Sequence, residues 1–291
     1  MTKLLVYANC QSEPVDIFMR DLCDKLETVP LEPIYKLTQN DALTVDAAFA
    51  AADIIVHQPI GANYGPLSTA ALKAAHPDKT YVSFPSIYFN GYFPNLMYLR
   101  LPEGGTLPSI LASYHDRRIV EAFIAGKSAD EAVASLDESA LDPVAAVERS
   151  IGNARKADEA TEIKVASLIA DDFHQRRLFY TFNHPSNSLL LDVAIQACSL
   201  LNLQISPSGL RTALRRPTIL DIAQVAIEQS TIDTFKIGFG GANQMFEMGA
   251  FEKQELSRSR WVEASYAQYA ARPDIAEVLT FADQRTALFG Y

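Results

Sequence analysis

Over its first ninety residues the chain alternates short continuous apolar blocks with amphipathic stretches. Leu4-Leu5-Val6-Tyr7, Ile54-Ile55-Val56 and Tyr81-Val82 are the blocks. Runs that are apolar without alternation, bounded by polar or turn residues, read as strands buried on both faces. Between them Val15, Phe18, Leu22 and Leu26 recur at helical spacing. The pattern predicts a strand over 3–9 and a helix over 14–28. A second strand follows over 32–37, then a helix from a cap at Asn40 or Asp41 through Phe49. A third strand over 53–59, a helix over 66–75 and a fourth strand over 80–84 complete the series. A βαβαβαβ series predicts a parallel sheet with right-handed crossovers. The commonest matching strand order is 2-1-3-4, with a topological switch point between strands one and three.

From about Leu107 the periodicity becomes helical. Ser128-Ala129-Asp130-Glu131 has the form of a capping box before a helix to about Leu141. Asp142-Pro143 starts another, with proline at the first helical position. Its stripe of Val144, Val147, Ile151, Ala154, Val165 and Leu168 extends it to about Phe173, weakened in the middle by Asp158 and Thr161. A helix that long packs along a domain or along a second copy, so a homodimer is compatible with it. Residues 178–182 read as a strand and 188–201 as a helix. The segments around Trp261, Tyr266 and Tyr269, and over 273–288, read as surface helices with apolar faces. The expected organisation is an α/β sheet domain over 1–126 and a mainly helical part over 127–291 packed on it.

Composition narrows the classes. The 291 residues are 48% hydrophobic and 21% charged, as in ordinary globular chains. No apolar run approaches the roughly 20 residues of a membrane span, and the N-terminal apolar run is too short for a signal-peptide core. Cytoplasmic residence is the expectation. A net charge of −10 argues against general nucleic-acid binding. Cys10, Cys23 and Cys198 are three and far apart, which suggests neither a disulfide framework nor a zinc cluster. Neither G-x-G-x-x-G after the first strand nor a P-loop is present, and Gly238-Phe239-Gly240-Gly241 reads as a turn. A dinucleotide-dependent dehydrogenase is therefore disfavoured.

Three apolar runs open into polar tips, where open α/β sheets place their chemistry. The first tip is Asn9-Cys10-Gln11. Cys10 is either a small buried residue or a thiol biased towards thiolate by the amides of the following helix. The second is His57-Gln58, and the third is Asn183-His184-Pro185-Ser186-Asn187. The aromatic stretch after strand four, with Ser86 and Tyr88, reads either as a pocket wall with hydroxyl handles or as a satellite core. Tyr114-His115-Asp116-Arg117-Arg118 offers a base, a carboxylate and two guanidiniums, or is an ordinary solvated helix face.

Taken in order, these blocks resemble the WcbI family of capsule-polysaccharide biosynthesis enzymes. The resemblance rests on Asn9-Cys10-Gln11, His57-Gln58-Pro59-Ile60 with Leu67-Ser68-Thr69, and Pro85-Ser86-Ile87-Tyr88. It continues through Gly91-Tyr92-Phe93-Pro94, Tyr114-His115-Asp116 and Thr181-Phe182-Asn183-His184-Pro185. It covers roughly residues 3 to 200. Family members usually carry glycine before the Asn-Cys-Gln, where this chain has Ala8.

The resemblance implies a three-layer, SGNH- or flavodoxin-like α/β core with a helical C-terminal half. It also implies binding of coenzyme A or acetyl-CoA and acetyl transfer to a sugar hydroxyl of a surface polysaccharide. Cys10 stands where SGNH hydrolases carry their serine, and no companion Asp-x-x-His is apparent. The expected catalytic residues are Cys10 with His115 or His184 as base. The expected coenzyme-binding residues are Asn9, Gln11, Gln58, Ser86, Tyr88, Arg117, Arg118 and Asn183, and no metal is expected. Either Cys10 carries the acetyl group as a thioester, or the acceptor attacks acetyl-CoA directly and Cys10 lines the site. The rival functions are an esterase or thioesterase using the same cleft, and a non-catalytic protein binding coenzyme A or sugar.

Overall fold

The computed structural model describes residues 1–136, 142–220, 223–241, 246–248 and 253–289. The chain divides into two compact units. The first comprises 1–87, 154–172 and 184–220, and the second 88–153, 173–183 and 221–291.

The first unit is built on four parallel strands, β1 (Thr2–Tyr7), β2 (Leu26–Thr28), β3 (Ile54–His57) and β4 (Thr80–Ser83), in the order β2-β1-β3-β4. This is the order expected from the sequence. Tyr7 pairs with His57 and His57 with Ser83, so three strands end level at their carboxyl ends. The helices α1 (Ser12–Leu22), α2 (Ala42–Ala51) and α3 (Thr69–Ala75) connect them. Leu4 to Tyr7 and Ile54 to His57 are buried throughout, as strands covered on both faces must be.

On one face Leu5, Tyr7 and Ile55 meet Val45, Phe49, Leu67 and Leu72 in a single core cluster. α1 buries Val15, Phe18, Met19 and Leu22 completely. Asp16 lies on that buried side and accepts hydrogen bonds from Thr28 Oγ1 at 2.8 Å and Arg20 Nε at 2.9 Å.

Three expectations are corrected here. The first helix ends at Leu22, and Leu26–Thr28 is the second strand; residues 34–36 form only a 3₁₀ turn. A three-residue strand is too short to show a period, and Leu26 happened to fall in helical phase. The third helix begins at Thr69, capped by Ser68, after a 3₁₀ segment over Ala62–Leu67. The supposed continuous helix is two, α6 (Pro143–Glu159) and α7 (Ala166–Asp172). Asp158 makes the break: its carboxylate accepts the backbone N–H of Val165 at 3.1 Å and of Ala166 at 2.9 Å. α8 (Asn187–Leu200) and α9 (Pro207–Leu214) complete the first unit. In this unit Cys23 and Cys198 are buried with their sulfurs 3.5 Å apart.

In the second unit β5 (Leu96–Tyr98) and β6 (Tyr114–Asp116) form an antiparallel pair, and β7 (Phe179–Thr181) follows later in the chain. Asp116 then caps α4 (Arg117–Ile124) by accepting the N–H of Arg118. Ser128 and Glu131 form the expected capping box on α5 (Ala129–Ser135); the rest of that expected helix lies outside the described residues. A small antiparallel sheet, β9 (Ala223–Gln224) with β10 (Phe246–Met248) and β11 (Lys253–Glu255), was not legible in strands so short. The helices of this part are α10 (Gln229–Phe235), α11 (Arg258–Ala270) and α12 (Ile275–Phe289). Trp261 and Tyr269 are core residues of this unit, 3% and 1% exposed. Among the described residues no helix is long and apolar enough to cross a membrane.

Candidate active site

The candidate site lies at the carboxyl ends of β1, β3 and β4. Residues 8–11 leave β1 and turn at once into α1, so Asn9 and Cys10 stand half-buried at the tip. Six side-chain amide contacts lock the turn. Asn9 Oδ1 accepts the Gln11 N–H at 2.9 Å. Gln58 Oε1 accepts the Asn9 N–H at 3.0 Å, and Gln58 Nε2 donates to Gln11 Oε1 at 2.8 Å. Gln11 Nε2 donates to the Ile87 carbonyl at 2.9 Å, and Gln11 Oε1 accepts the Ile87 N–H at 3.2 Å. Gln58 Nε2 also faces the Pro85 carbonyl at 3.4 Å. Gln11 and Gln58 are fully buried, where unpaired amides would be costly. The network ties three loops together and fixes Cys10 at a switch point. Asn9, Gln11 and Gln58 are thus brought together, with Ser86 half-buried in the loop that Pro85 and Ile87 anchor.

Burial decides the electrostatics. It pushes the Cys10 thiol up to about 11, against a smaller lowering by a backbone hydrogen bond. Of the two readings of Cys10, the raised thiol goes with the buried residue: desolvation outweighs the helix-end amides. His184, buried at the start of the two-residue strand β8 (His184–Pro185), is pushed down to about 4 by burial, so it is a neutral imidazole at pH 7. His57 is also lowered, chiefly by burial. Its Nδ1 donates to the Gln58 carbonyl at 3.1 Å, and its buried Nε2 has no partner among the described residues.

Glu162 was not singled out by sequence reasoning. It accepts the Ser83 N–H at 2.7 Å and the Ser83 hydroxyl. Nothing local marked it, because it arrives 79 residues later in what read as a helix.

The remaining expected residues lie in the second unit. Tyr88 stacks on Phe182, with ring centres 6.3 Å apart. Asn183 accepts from Tyr114 Oη at 2.7 Å and donates to Tyr98 Oη at 3.1 Å. His115 is fully buried; its Nδ1 meets Tyr269 Oη at 2.8 Å and its Nε2 the Leu107 carbonyl at 3.1 Å. Burial pushes it down to about 4. Arg117 is paired with Glu121 and Asp283, and Arg118 with Asp116 and Glu228. Among the described residues no cluster of metal-ligating side chains occurs.

A parallel α/β sheet whose first turn presents a thiol on an amide lattice defines a class in which chemistry is carried at the strand ends. The family model of the polysaccharide biosynthesis enzyme WcbI matches residues 3–206, and the chain belongs to that family. A solved structure is similar in fold, with a TM-score of 0.77 at 19% identity, covering 98% of this chain and 95% of that one. It is described as WcbI, a novel polysaccharide biosynthesis enzyme, in native form without a disulfide bond between coenzyme A and one of its cysteines. No curated protein matches the chain significantly.

Proposed function

We propose that this protein is a coenzyme A-dependent O-acyltransferase that moves an acetyl group from acetyl-CoA to a sugar hydroxyl during polysaccharide biosynthesis. The observation that carries the reading is the half-buried Cys10 thiol held by the Asn9–Gln11–Gln58 lattice at the switch point. Support comes from the related structure, whose description names coenzyme A together with a cysteine, in a form without a disulfide bond between them. The donor set fits a thiol-bearing ligand: a half-buried thiol on a rigid turn that follows the first strand, the place from which SGNH-type enzymes act.

The raised thiol favours direct transfer. The acceptor hydroxyl loses its proton to His184, which is neutral at pH 7. The hydroxyl oxygen bonds to the acetyl carbon, the thioester C–S bond breaks, and coenzyme A leaves and takes up a proton. Turn amides stabilise the developing oxyanion, and Cys10 lines the sulfur's position. His184 is preferred to His115 because it belongs to the same unit as Cys10. Arg117 and Arg118 would meet coenzyme phosphates only by exchanging carboxylate partners.

The test is thermal unfolding with coenzyme A, dephospho-CoA and ATP. A ligand at about 100 times its dissociation constant adds roughly 2.7 kcal/mol, a shift of several degrees. The expected result is a shift with coenzyme A that shrinks without the 3′-phosphate. Absence of any shift overturns the reading. Activity of Cys10→Ala separates the routes: retention supports direct transfer, whereas an acetyl adduct on Cys10 in the wild type, with activity lost in the variant, supports the thioester route.

A further inference from the structure

We propose that the second unit binds one neutral sugar ring in a pocket of its own, between the aromatic and aliphatic walls of Trp261, Phe93 and Leu136 and the Asp116–Arg118–Glu228 array. The identification of the ligand as a sugar rests on the proposed sugar-modifying function; the size and charge arguments do not.

Size comes first. The cavity is about 180 Å³. An apolar cavity of roughly 150 Å³ takes one benzene-sized ring. The pocket therefore suits a single six-membered ring with its substituents.

Charge comes second. Two carboxylates, Asp116 and Glu228, and two guanidiniums, Arg118 and Arg258, line the space. An anion would face both carboxylates and a cation both arginines, so the balance selects a neutral ligand.

Hydrogen bonding comes third. Arg118 is gripped by Asp116 at 2.6 Å and by Glu228 at 3.1 Å, and Asn95 Nδ2 donates to Glu228 Oε1 at 2.7 Å. The carboxylates are thereby held in fixed orientation. An ionised carboxylate has about four acceptor positions, so such an array still accepts from ligand hydroxyls. Because it is already ordered, little entropy is lost on binding. A site with fixed carboxylate acceptors, guanidinium donors beside them and apolar side chains in its lining matches a pyranose, which has hydroxyl edges and C–H faces.

The experiment uses the fact that Trp261 is the chain's one tryptophan. The full-length protein is titrated with the neutral methyl pyranosides of glucose, galactose and mannose, with excitation at the red edge where tyrosine does not absorb. Inorganic phosphate, glucosamine and glucuronic acid serve as charged comparisons. The expected result is a saturable change with at least one neutral pyranoside, and none with phosphate. Ser230→Phe, which places a ring in the pocket, should abolish it. Glu228→Gln should weaken it tenfold or more; if either variant does not fold, the other decides.

The inference is overturned if no neutral pyranoside gives a saturable change, if the charged comparisons bind as well, or if the response survives undiminished in a folded variant. A coenzyme A shift without sugar binding overturns the pocket alone. Sugar binding without a coenzyme A shift overturns the acyltransfer reading alone.

Discussion

Gln58 shows how much one side chain holds in place. Its two amide atoms serve Asn9, Gln11 and the Pro85 carbonyl, so it joins the tips of β1 and β3 to the loop after β4. Gln58→Met keeps the volume and removes every one of these bonds. Stranding part-buried donors and acceptors costs about 1–3 kcal/mol each. The expected outcome is a lower urea midpoint and a coenzyme A thermal shift that is reduced or lost. A variant with both quantities at wild-type level would remove the lattice from the argument.

The tip residues were legible because an apolar run opening abruptly into amides is a visible discontinuity. What each tip residue touches was not legible, since Gln58 and Ile87 meet Gln11 from 47 and 76 positions away. The thiol's state stayed open between two readings for a related reason: sequence shows the helix end beside Cys10 but not the walls that desolvate it.

At the scale of elements, length decided legibility. β1, β3 and β4 were read nearly to their ends because buried parallel strands are unbroken apolar blocks. β2, β9, β10 and β11, of two or three residues, carry no period to read. The α6–α7 break was hidden because apolar spacing continued across it, although Asp158 marked it. Asp158→Ala removes the acceptor of the first N–H groups of α7 and, like loss of a helix cap, should cost about 0.5–2 kcal/mol in a denaturant titration.

A harsher result is expected at Gly209 in α9. A methyl group there would lie 2.0 Å from the Asp21 carbonyl oxygen of α1, and backbone cannot step aside as a side chain can. Gly209→Ala should destabilise the first unit by about 1–3 kcal/mol, the usual range for overpacking. A wild-type melting temperature would show that α9 is free to move away.

For the whole molecule, acid is the revealing stress. His184 in the first unit and His115 in the second each sit near 4, against an ordinary 6.5. Between those values the unfolded chain binds protons that the folded chain refuses, so stability rises with pH across this window. Above pH 6.5 both are neutral in either state and contribute no slope. By pH 4 each should have cost on the order of 3 kcal/mol. Urea midpoints at pH 7 and pH 5 should differ markedly, and His115→Gln should flatten the dependence while lowering the neutral-pH value. A midpoint unchanged by pH in the wild type would mean that neither ring is shielded as described.

The two units are interleaved along the chain in six segments, with the first unit taking its last piece from 184–220. On a ribosome, therefore, the unit that carries Cys10 is begun early, its four strands complete by Ser83, but it cannot be completed until residue 220, about three quarters of the polypeptide, has emerged. Neither half is a cassette that recombination or a truncation could lift out. A stop after residue 206, where the match to the family ends, would cut α9 from the first unit and the whole of 221–291 from the second.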